Sequence, residues 1–214
     1  GFNVAAEFGR QRAAQVVTDA AGVARLKVNP NVTYVEPDHA VHADANFVDN
    51  GEITWGLDAI DAPDVWGTTT GAGVTVCVLD TGFDFNNHPD FAGANIIGSP
   101  NFVNDAHKTA QDGNGHGADD GGRIAAQPNG FGVTGVPYDV ELLIARVLGD
   151  DGSGSISGVV KGVNWCVDQG ADILSLSLGS EAGSKTEERA FQSAWDAGRL
   201  SIAASGNDAT SAPH

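Results

Sequence analysis

From residue 74 to residue 204 the chain alternates short apolar runs with longer segments of helical spacing, and no other feature constrains its fold as strongly. The runs at 74–79, 140–148, 173–178 and 200–204 are dominated by valine, isoleucine, leucine and alanine. Between them, 115–126, 156–169 and 186–198 repeat apolar residues three and four positions apart. Strand, helix, strand in sequence implies right-handed crossovers and parallel strands buried on both faces. The fold class expected is therefore α/β, a doubly wound, mostly parallel sheet with helices on both faces. Function in such a sheet gathers at the carboxyl ends of the strands.

Those ends carry polar residues in glycine turns. The first run closes on Asp80-Thr81-Gly82, the third on Ser177-Leu178-Gly179 and the fourth on Ser205-Gly206-Asn207. The segment leading to His116 can reach the same edge. An aspartate at a strand end can orient a histidine and stabilise its imidazolium during general-base catalysis. An asparagine in a glycine turn can donate its amide to a developing oxyanion. Each signal alone also has an ordinary reading, because Asp-Thr-Gly closes many strands and asparagine after glycine is a common left-handed turn residue.

Order, spacing and flanks together resemble the subtilisin-like serine peptidases. "VTVCVLDTGFDFNNHPDF" resembles the segment around their catalytic aspartate and "DGNGHG" that around their histidine. "LSLSLGS" is similar to their substrate-binding strand and "SIAASGND" to their oxyanion-hole turn. The likeness covers nearly all of the chain after residue 28. It implies that Asp80 orients His116, that His116 is the general base and that Asn207 is the oxyanion donor. It implies too that Ser177, Leu178 and Gly179 pair with an extended peptide opposite Gly152, Ser153 and Gly154. Main-chain pairing of that kind tolerates many substrate sequences. The family's nucleophilic serine lies in a Gly-Thr-Ser-Met-Ala turn beyond the last residue here, so the segment by itself is expected to be inactive. Asp90 and Asn129 match family positions whose oxygens hold a structural calcium, and hard oxygen ligands suit that ion. Without a metal, Asp90 would merely cap a turn.

One stretch departs from the family. Where the family reads His-Gly-Thr-His-Val-Ala-Gly-Thr, this chain reads His116, Gly117, Ala118, Asp119, Asp120, Gly121, Gly122, Arg123. Three readings compete. The acidic residues could complement a helix dipole at the surface, or Arg123 could pair with Asp119 or Asp120 at helical spacing. The first gain is too small to offset burial of a carboxylate, and the reading ranked first is an error or degeneration in this stretch of the sequence record.

The pattern changes near residue 45. Upstream, a helical segment is expected at about 11–19 and a short strand within "NVTYVEPDHAVHAD"; the resemblance makes residues 1–44 the end of an α+β inhibitory propeptide and 45–214 the first part of the catalytic domain. The absence of methionine and the glycine at position 1 suggest a segment of a longer precursor. A net charge of -17 without a basic patch argues against nucleic acid and anionic membranes as partners. Cys77 sits in a strand pattern and Cys166 in a helix pattern. Two buried free thiols are the favoured reading and a disulfide the other.

The function expected from the resemblance is serine endopeptidase activity on protein or peptide substrates. A secreted, monomeric enzyme inhibited by its own propeptide goes with it. A catalytically inactive homologue that binds peptides through the same groove is the alternative. A nucleotide- or sugar-binding domain would place a glycine-rich loop directly after the first strand, and Asp80-Thr81-Gly82-Phe83 is not one.

Overall fold

A computed structural model describes residues 3–8, 13–33, 35, 52–85, 88–103, 105–180 and 184–206. The chain divides into two compact units, Gly1–Asn46 and Phe47–His214.

In the first unit, β1 (Asn3–Phe8) and β2 (Ala13–Val17) pair antiparallel, with α1 (Ala20–Lys27) following. The helix expected at 11–19 is thus a strand that ends in Val16 and Val17, residues that favour a pleated surface. Helix starts only past Asp19, whose carboxylate accepts the Gly22 N–H at 2.7 Å and caps α1. The strand expected within residues 31–44 falls largely outside the described residues.

The second unit opens with two short helices, α2 (Trp55–Ala59) and α3 (Ala62–Val65). It continues with β3 (Thr75–Asp80), β4 (Asn95–Gly98), α4 (His116–Ala125), β5 (Glu141–Arg146), α5 (Ile156–Asp168), β6 (Ile173–Leu176), α6 (Lys185–Asp196) and β7 (Leu200–Ala203). These strands form one parallel sheet in the order β4-β5-β3-β6-β7. The doubly wound α/β architecture expected from the alternation is present, and β4 is an edge strand too short to announce itself.

Alternation along the central strands sends side chains into two cores. Val76 and Val78 of β3 join Leu142 and Ile144 of β5, Phe83 and Ala125 on the α4 side. Cys77 and Leu79 join Leu143, Ala145, Val159, Val163 and Cys166 on the face covered by α5. Each buried leucine, valine or isoleucine adds about 1.5–3 kcal/mol, so the sheet centre is rigid where Asp80 leaves it.

The favoured reading of the cysteines is corrected. Cys77 and Cys166 are both fully buried and form a disulfide between β3 and α5. Cys77 faces α5 because it alternates with Val76 and Val78. Cys166 belongs to the same helical stripe as Val159 and Val163, and their Cα atoms come within 5.9 Å, a bridging distance. Strand and helix patterns separately cannot reveal that two faces meet.

Candidate active site

Asp80 is the last residue of β3, and its side chain is only 1% exposed. Its Oδ1 accepts the Thr81 N–H at 2.6 Å and lies 2.8 Å from Nδ1 of His116. His116 opens α4 with its ring half-exposed. The geometry is that of a carboxylate holding one imidazole nitrogen while the rest of the ring meets solvent. Burial pushes the Asp80 carboxyl above its ordinary value, against the lowering effect of the His116 and Thr81 hydrogen bonds. The same Asp80 bond raises His116, with the charges of Asp80, Asp120 and Asp119 adding to it and partial burial opposing.

Local folding explains why the two meet. The N-cap of α4 is Gly115, which has no side chain to cap with. Asp112 does that work from three residues earlier: Oδ1 accepts the N–H groups of Asn114 and Gly115 at 2.8 and 2.9 Å, and Oδ2 accepts that of Ala118 at 2.8 Å. Burial pushes the Asp112 carboxyl up, but these backbone donors outweigh it and leave it below the ordinary carboxylate range. The Gly117 N–H donates to Thr81 Oγ1 at 2.9 Å, tying the helix start to the strand end. A Cβ on Gly117 would overlap the Gly82 carbonyl oxygen and come within 3.1 Å of the Asp80 Cβ, so only glycine permits this approach.

A second support comes from beneath. Arg146 lies level with Asp80 in the β3–β5 register and is completely buried. Its Nε donates to the Thr81 carbonyl at 3.0 Å, while its other nitrogens reach Asp105 at 2.6 Å and Asp150 at 2.9 Å. The sequence reading missed Arg146 because it is embedded in an apolar run. Asp112 was overlooked as a cap because the glycines between it and His116 hide the helix start.

The departing stretch forms a regular helix, and the Arg123 pairing expected as one of the three readings is present in it. Asp119 points outward and meets Arg123 at 2.7 Å. Gly121 and Gly122 are buried, and a Cβ on Gly121 would stand 2.6 Å from the Phe83 ring. Their lack of side chains lets α4 settle onto the sheet. Asp120 is half-buried on the side of the dyad.

Beside His116 runs a cleft of about 480 Å³. Gly152, Ser153 and Gly154 line it, and so do Ser177, Leu178 and Gly179. Both groups expected to border a peptide therefore face the same space as His116. Asn207 lies outside the described residues; β7 carries the chain toward it as far as Gly206.

Asp90 and Asn129 are neighbours away from the dyad. Asp90 is buried in a short 3-10 turn, Pro89–Phe91. Its Oδ2 accepts the Val133 N–H at 3.0 Å, whereas Oδ1 is buried without a hydrogen-bond partner among the described residues. The Asn129 amide donates to the Pro89 carbonyl at 2.7 Å, and Glu52 Oε1 accepts the N–H groups of Asn129 and Gly130, both at 2.6 Å. Asp90 Oδ1, 3.9 Å from His88 Nδ1 and without a hydrogen bond among the described residues, fits a cation ligand. Glu52 was not anticipated, since its partners lie more than 70 positions away.

Comparison with known proteins shows the family to which the chain belongs. A family model described as the subtilase family matches residues 71–214. The chain is 42% identical over 183 residues to M-protease of Shouchella clausii (strain KSM-K16), an alignment covering 85% of this chain and 45% of that protein. It is 41% identical over 193 residues to alkaline elastase YaB of Bacillus sp. (strain YaB), covering 90% and 48%. Against subtilisin E of Bacillus subtilis (strain 168) it is 34% identical over 212 residues, covering 99% and 53%. The chain spans about half the length of the curated relatives it matches. With the family model matching well over half of its residues, the chain belongs to the subtilase family.

Proposed function

We propose that the protein is a serine endopeptidase whose dyad of Asp80 and His116 acts on a serine supplied from beyond these residues. The observation carrying this reading is the 2.8 Å contact between His116 Nδ1 and the buried Asp80 carboxylate at the edge of the cleft. In the reaction His116 takes the serine proton as the serine attacks a peptide carbonyl, and later returns it to the leaving amine. Asp80 keeps the ring oriented and favours its protonated form. Asn207 donates to the tetrahedral oxyanion. An extended substrate lies between the 152–154 and 177–179 walls, held by main-chain hydrogen bonds.

The same reading makes residues 1–44 the end of an intramolecular inhibitor and the mature enzyme a secreted monomer. Among the described residues no helix is long and apolar enough to cross a membrane. Asp90, with Asn129 and nearby carbonyls, would hold a structural calcium. That ion would join the turn at 89–91 to the loop at 127–133 by hard oxygen coordination.

Replacement of His116 by alanine in the full-length protein is the direct test. Casein hydrolysis should fall at least about a thousandfold, because members of a triad act as a unit. Undiminished hydrolysis would overturn the assignment of the base. A native protein without hydrolysis that still binds peptides would favour the inactive homologue.

A further inference from the structure

Asp120 has no evident place in peptide hydrolysis, yet it lies where it cannot be neutral to the dyad. It follows His116 by four residues on α4, so both side chains rise from one helix face. Asp80, His116 and Asp120 each present a ligand atom, and these atoms lie within 4.8 Å of one another.

The Asp80 carboxylate supplies an independent sign of a missing partner. Its side chain is 1% exposed, and its Oδ2 is buried with no hydrogen bond among the described residues. A buried anionic oxygen left unpaired is costly. The nearby cations are committed elsewhere: Arg123 turns outward to Asp119, and Arg146 engages Asp105 and Asp150. Asp80 alone holds the imidazole at 2.8 Å, and a ligand oxygen of Asp120 stands within 4.8 Å of both.

We propose that Asp80, His116 and Asp120 bind a divalent cation of the zinc class. One imidazole nitrogen with two carboxylate oxygens suits such an ion better than calcium or magnesium, which take oxygen ligands throughout. Three protein ligands with an open position also match how zinc is held at accessible sites. The half-exposed ring leaves room for water to complete the shell. Ligand atoms around zinc sit about 2.0–2.2 Å from the metal, so closing the cluster needs side-chain movements on the order of 1 Å. Both supporting elements are firm, β3 by its place in the sheet and the start of α4 by Asp112 and Thr81. Binding itself does not depend on the proposed peptidase activity. Its consequence does: an ion on His116 withholds the general base, so zinc would reversibly silence the enzyme.

The test titrates the protein with Co²⁺ in excess calcium, following visible d–d absorption and the His116 ring signals by NMR, with Zn²⁺ as competitor. One saturable equivalent that Zn²⁺ displaces is expected. Asp120→Asn and Asp120→Val should each weaken it at least tenfold, with Asp119→Asn unchanged; circular dichroism checks that each variant folds. No saturable binding, or the same affinity in a folded Asp120 variant as in the native protein, overturns the site. If hydrolysis is present, Zn²⁺ should inhibit the native protein at least tenfold more strongly than Asp120→Asn. Asp120-dependent binding in a protein without hydrolysis would support the site and remove only the peptidase reading.

Discussion

Helices α4 and α5 cover opposite faces of the sheet and are held there by different means. Helix α5 buries Val159, Val163 and Cys166 along with Gly158 and Gly162, its large side chains packing against β3 and β5, and a disulfide anchors it. Helix α4 buries mainly glycine and alanine: Gly117, Gly121, Gly122 and Ala125. The first is secured by apolar area and a covalent bond, the second by close approach and by hydrogen bonds at its start. The difference follows from what each must position. A helix that brings His116 within 2.8 Å of a buried strand-end carboxylate has little room for large side chains at its foot.

Breaking the anchor of α5 should have the largest effect. The disulfide closes an 89-residue separation, and its removal in Cys77→Ala/Cys166→Ala should cost roughly 2–5 kcal/mol. Urea unfolding measures this. Thiol labelling of the denatured, unreduced protein should find neither cysteine reactive, and two labelled thiols would refute the bond and the contrast built on it.

Crowding α4 comes next. Gly121→Val drives a side chain into the Phe83 ring and should destabilise by about 1–3 kcal/mol through overpacking. Gly117→Ala should separate position from stability, lowering hydrolysis more than its unfolding midpoint predicts because His116 is pushed from Asp80. Unchanged activity in Gly117→Ala would show that close approach at the helix foot is not required.

The electrostatic side of the comparison appears in pH titration of chelator-treated protein. His116 should titrate above the ordinary histidine value and fall back toward it in Asp80→Asn, read from its ring signals by NMR. Because the folded value is raised, the stabilisation carried by protonated His116 is complete below about pH 6.5 and is lost as pH rises through the raised value. Hydrolysis, which needs the neutral ring, should rise over that same upper range. An acidic limb at or below the ordinary histidine value would contradict the contact.

The smallest effect belongs to the outer face of α4. Asp119→Ala breaks an exposed ion pair with Arg123 and should cost no more than about 0.5 kcal/mol. A loss several times larger by urea unfolding would mean that Asp119 supports α4 in some way the pair does not explain.

Much of the frame was legible in the sequence because burial leaves a periodic trace. The runs at 74–79 and 140–148 and the helical spacing at 156–169 correspond to β3, β5 and α5 within a few residues. Short elements left no such trace. Strand β4 has four residues, and β2 was mistaken for helix because alanine and glutamine fit either state while the cap at Asp19 came later. In the site, the Asp80–His116 contact and the residues lining the cleft beside it could be anticipated from motifs, since turns at strand ends keep a recognisable local order. Arg146, Asp112 and Glu52 could not, because their partners are distant in sequence or hidden by glycines.

What the sequence alone determined, then, was the alternation that builds a parallel sheet and the polar residues at its carboxyl edge, since both follow from local pattern and chain direction. Tertiary structure decided that Cys77 meets Cys166, that Asp119 turns to solvent while Asp120 turns toward the dyad, and that one Asp80 oxygen and one Asp90 oxygen are buried without a hydrogen bond among the described residues. Those outcomes depend on how two faces pack and on the few ångströms between them, and distances across a core are set by the whole set of neighbours rather than by any one segment.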